Sequence, residues 1–84
     1  MKTEFTDIEV GVLRKYLRHI GYHKVTNNNN VSVECDGSLR RMLVVPCEEI
    51  SEEVKKQALK QDREIWLAVF DDALEVEWKF LATA

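Results

Sequence analysis

The sequence predicts an α+β domain in which two helices pack on a four-stranded, mainly antiparallel sheet, in the order α-β-β-α-β-β. Three observations predict it. Two helix starts are marked by capping residues, at Thr6 and Ser51; an alternating segment turns back at Asp36-Gly37; and two closing segments are rich in aromatic and β-branched side chains. Eighty-four residues have room for one core, so residues 1–84 are read as one compact domain. The composition, 45% hydrophobic and 32% charged, is that of a folded chain and not of a disordered one.

The first helix is set by local chemistry. Thr6 and Glu9 have the spacing of a capping box, and Phe5 and Val10 that of a hydrophobic staple. Ile8, Val12, Leu13, Tyr16, Leu17 and Ile20 recur at helical intervals and form one apolar stripe. Gly21 is placed to close the helix in a left-handed conformation, with Tyr22 folding back on Leu17. These signals predict a helix over 7–20 with Arg14, Lys15 and Arg18 on its outer side.

Val25 and Thr26 then precede four asparagines, Asn27–Asn30, which favour a turn because their short amides compete for backbone hydrogen bonds. Val31, Val33 and Cys35 alternate with Ser32 and Glu34, as in a strand with one wet face. Asp36-Gly37 is a hairpin signal. The returning strand, 39–45, is apolar on both faces across Met42–Val45, which predicts a central position, and Pro46 ends it.

Ser51 caps a second helix, predicted over 52–61, with Glu52 and Glu53 in its first turn. Its apolar content is thin: Ile50, Val54, Ala58 and Leu59. The last two strands are predicted at 64–70 and 73–81, joined at Asp71-Asp72. In the first, Ile65, Leu67 and Val69 oppose Trp66, Ala68 and Phe70, so both faces are apolar. In the second, Leu74, Val76, Trp78 and Phe80 alternate with Glu75, Glu77 and Lys79, the pattern of an edge strand.

Composition limits function. No run approaches the roughly 18 apolar residues of a membrane span, and Met1–Phe5 lacks the apolar core of an export signal. A cytoplasmic protein with Cys35 and Cys47 reduced is the expectation. The net charge of −3 argues against non-specific nucleic-acid binding, although residues 1–42 carry seven Lys/Arg against five acids and residues 43–84 five against ten.

Chemistry-bearing patterns are sparse. Glu34 and Asp36, at the end of a hairpin strand between two helices, give the chain a topology that resembles a trimmed restriction-endonuclease core. That resemblance implies, as a further alternative, a degenerate metal-dependent nuclease-like domain, in a family whose carboxylates at such positions hold a hard cation. The family's pattern continues with an acid, one residue and a lysine on the following strand. Here that strand reads Val44-Val45-Pro46, and Glu77-Trp78-Lys79 lies on the last strand. A zinc site is not supported by Cys35 and Cys47, twelve apart, or by His19 and His23, four apart with Gly21 between them. There is no Gly-x-Ser-x-Gly or Cys-x-x-Cys, and Gly11, Gly21 and Gly37 are too scattered to cradle a phosphate. No catalytic, cofactor-binding or metal-binding residue is assigned, and no cofactor is expected.

Two functional classes follow. The first is a non-enzymatic interaction or regulatory module acting through protein contacts, as a homodimer that covers apolar strand surface with Trp66, Phe70, Trp78 and Phe80. The second is a nucleic-acid-binding domain whose Arg14, Lys15, Arg18, Lys24, Arg40 and Arg41 form one basic edge, with Tyr16, Tyr22 and His23 available for stacking. The first is preferred because the second half of the chain is acidic.

Overall fold

The computed structural model describes residues 2–82. Its elements run α1 (Asp7–His19), β1 (Lys24–Asn28), β2 (Ser32–Asp36), β3 (Arg41–Val45), α2 (Glu52–Lys60), β4 (Glu64–Phe70) and β5 (Val76–Ala82). The α+β class holds, but the predicted four-stranded, mainly antiparallel sheet does not. The sheet has five strands, in the order β1-β2-β3-β4-β5, and it is mixed, because β3 and β4 are parallel while the other pairs are antiparallel. The correct chain order is α-β-β-β-α-β-β.

The overlooked strand is β1. Asn27 and Asn28 extend it, in register with Val33 and Ser32, and the turn occupies the following residues, where Asn29 and Asn30 take φ of 53° and 61°. Low strand propensity is overridden here by the ladder to β2 and by burial of Val25. The asparagines still build the turn: the Asn27 side-chain oxygen accepts from the Asn30 backbone N–H at 2.8 Å.

Both helices carry the predicted caps. Thr6 Oγ1 accepts from Glu9 N–H at 3.1 Å and the Glu9 carboxylate accepts from Thr6 N–H at 2.9 Å. At the other end Tyr22 N–H donates to Leu17 O and Gly21 N–H to Arg18 O, a Schellman closure with Gly21 at φ 114°. The same pattern closes α2, where Arg63 N–H donates to Ala58 O and Asp62 N–H to Leu59 O, with Asp62 in the left-handed position at φ 58°.

Each helix covers one face of the sheet. Under α1, Val10, Leu13 and Leu17 meet Val25, Val33, Cys35, Met42, Val44 and Ala68. The buried line of α1 is narrower than its apolar stripe, since Ile8, Tyr16 and Ile20 are exposed. On the opposite face Ala58, with the half-buried Val54 and Leu59, packs on Leu43, Val45 and Ile65. Alternation along β3 and β4 feeds both cores, which is why these central strands are apolar across 42–45 and 65–70.

The last hairpin departs from its predicted start. Leu74 takes φ 61° in the turn and is exposed, so β5 begins at Val76 instead of Ala73. The Asp71 carboxylate organises this turn by accepting from the N–H groups of Ala73 and Glu75, both at 2.9 Å.

Candidate interaction surface

The pairing of β5 with β4 places Val76, Trp78 and Phe80 opposite Phe70, Ala68 and Trp66, on the α1 face. The four predicted self-association residues therefore share one face. They are not equally available. Phe70 sits edge-on to Phe5, with ring centroids 6.2 Å apart. Trp78 stacks against Tyr16 of α1 at 5.8 Å, while Trp66 meets Phe80 edge-on at 5.3 Å. Phe80 is 46% exposed, Tyr16 44% and Ile20 51%.

Trp66 and Trp78, but not Phe70 or Phe80, line a shallow groove of about 290 Å³ between α1 and the sheet. Leu17, Tyr22 and Met42 contribute alongside Tyr16, Ile20, Trp66, Trp78 and Arg40. The groove exists because α1 lies toward the β1 side of the sheet and leaves the far strands only partly covered. Its polar rim is ordered: the Glu64 carboxylate accepts from Trp66 Nε1 at 3.1 Å and stands 3.8 Å from Arg40 Nε. Tyr22 donates its hydroxyl to Met42 Sδ at 2.7 Å, and burial raises its pKa. What the arrangement offers is a shallow apolar groove with one charged margin.

The candidate nucleic-acid residues are distributed unevenly. Lys15 and Arg18 are exposed on α1 and Arg14 is half-buried. The C-terminal end of α1 does lie beside the β2–β3 turn, since Ile20, Gly21 and Tyr22 share a depression with Gly37, Ser38, Leu39 and Arg40. Lys24 and Arg41 open their strands at that same end, each opposite Asp36. Two of the six candidate cations face acids: Arg40 faces Glu64, and Arg41 Nε lies 3.3 Å from Asp36. Their charge is offset locally.

Glu34 and Asp36 hold a residue that sequence patterning missed. Arg63 is buried, with its side chain 5% exposed, and its guanidinium lies 2.9 Å from Asp36 and 3.6 Å from Glu34. It also donates to the carbonyls of Met42 and Cys35 at 3.3 and 3.4 Å, and to Gln61 Oε1 at 2.9 Å. Burial raises the Asp36 pKa, but hydrogen bonds from Arg41 and Arg63 and their charges outweigh it, so the net shift is downward. The positions opposite these acids on β3 are Leu43 and Arg41, which supply no further carboxylate. Among the described residues no group of three or more His, Cys, Asp or Glu side chains is arranged to hold a metal ion.

Cys35 is buried beneath α1, and burial pushes its thiol up to about 12, well outside a reactive range. Cys47 is half-buried in the segment after β3 and donates to Glu49 O at 3.4 Å. Both are free thiols. Among the described residues no helix is long and apolar enough to cross a membrane. No family model matches the chain, and no curated protein or solved structure matches it either.

Proposed function

We propose that the protein is a non-enzymatic interaction module that works through protein–protein contacts, with a homodimer as its assembled form. The observation that carries this reading is the aromatic surface of β4 and β5, where Trp66 and Trp78 line a groove with Tyr16 and Ile20 of α1 and the exposed Phe80 packs edge-on to Trp66. Exposed apolar area costs about 25 cal/mol per Å², so covering these rings is a driving force for association. Aromatic side chains with ordered polar neighbours are the residues that dominate interface energetics.

Sedimentation equilibrium tests the reading directly. A mass rising with concentration from the 9.8 kDa of one chain toward twice that value is the expected result. Replacing Phe80, whose ring is already half in solvent, with serine should lower the dimer fraction while leaving the fold intact. A single-chain mass throughout about 5–500 µM overturns the homodimer.

A further inference from the structure

We infer that two copies of the chain join edge to edge along β5, antiparallel and centred on Trp78, so that their sheets form one continuous ten-stranded sheet. The inference rests on the homodimer reading above and specifies its geometry.

The two sheet edges differ. β1 is a five-residue strand ending in asparagines and followed by two left-handed residues, Asn29 and Asn30. β5 is longer, Val76–Ala82, and pairs on one side only. Its free side presents a row of backbone donors and acceptors, a template for another strand. Its regular part is bounded by the Leu74 turn before it and by the irregularity opposite Ile65 and Trp66, where Trp66 pairs with Phe80 and Ile65 with Ala82. That leaves Val76–Phe80 as the straight, pairable stretch.

Side-chain facing restricts the register. In an antiparallel pair, residues directly opposite project to the same face, so a two-fold self-pairing is centred on one residue. Centring on Glu77 or Lys79 sets like charges against each other. Centring on Trp78 pairs all five residues of the stretch and places Glu77 opposite Lys79 of the second copy, twice over. The same register sets Trp78 against its own copy and Val76 against the copy's Phe80, covering the exposed ring. Glu77 and Lys79 are exposed on the opposite face, and Lys79 reaches Glu48 of its own chain at 2.6 Å. Because that pair is solvated on both sides, it is a weak competitor for Lys79.

Charge reversal with rescue tests the register. Glu77→Lys alone and Lys79→Glu alone each convert two attractive cross-strand pairs into two repulsive ones, and each should weaken the dimer about tenfold by sedimentation. The double reversal, Glu77→Lys with Lys79→Glu, restores the attraction and should return the dissociation constant to within about threefold of the parent. Circular dichroism confirms that each variant is folded. A parent that dimerises but is indifferent to both single reversals, or a double variant no better than the singles, overturns edge pairing and leaves the homodimer standing. A parent that never dimerises overturns both.

Discussion

Arg63 shows how much one side chain can organise. Its guanidinium is almost fully buried and touches β2 through Glu34, Asp36 and the Cys35 carbonyl, β3 through the Met42 carbonyl, and the end of α2 through Gln61. A planar five-donor fork suits such a junction, and lysine could not serve it. Replacing Arg63 with methionine keeps the volume but leaves two carboxylates facing each other. The expected cost is about 2–3 kcal/mol, at the low end for broken buried pairs because Glu34 and Asp36 keep some solvent contact. Urea unfolding should show this as a lower midpoint with an unchanged slope, and an unaltered midpoint would contradict the role given to Arg63. No periodicity announces a lone arginine between Asp62 and Glu64, so this centre was illegible in the sequence. The two acids on β2 were conspicuous, and their partner lay twenty-seven residues or more away.

At the scale of elements, the caps were the most legible features because they depend on residues three to five positions apart. Thr6 with Glu9, Gly21, and Ser51 all act as their spacing implies. The strand β1 was hidden for the converse reason: its partners are on β2, and its asparagines carry a turn signal that applies only from Asn29 onward. The two helix closures make a matched pair with opposite expectations. Gly21 sits at φ 114° with open space where a Cβ would be, so Gly21→Ala should lose about 1 kcal/mol from backbone strain alone. Asp62 already bears that strain at φ 58°, so Asp62→Gly should gain about 0.5–1 kcal/mol. Thermal unfolding of both variants checks the pair; a loss at both sites would refute the conformational account.

For the whole molecule, the aromatic face and the open β5 edge predict that stability depends on protein concentration. Above the dissociation constant, the unfolding midpoint should rise by about 3 °C or more per tenfold increase in concentration. A midpoint that does not move would speak for a self-sufficient monomer. The candidate surface was partly legible at this scale. Alternation put Trp66 with Phe70 on one side of their strand and Trp78 with Phe80 on one side of theirs, but it gave neither the register that brings the two pairs onto a common face nor the offset of α1 that leaves Phe80 exposed while Phe70 packs on Phe5. How far a helix reaches across a sheet is a property of the assembled layers.

The spatial order of the strands equals their order along the chain, and this has a kinetic consequence. Every strand neighbours the one synthesised just before it, and three of the four pairings close through a short turn. Only the parallel pairing of β3 with β4 spans a longer stretch, residues 46–63, and half of that connection is α2 itself. Loop-closure entropy grows only logarithmically with length, and low contact order speeds folding. The docking of the last hairpin onto the first three strands is then expected to be the slow step, which a refolding rate lowered by lengthening the 46–51 segment would show. Until it occurs, β3 is an uncovered edge, and the nascent chain is most prone to aggregate.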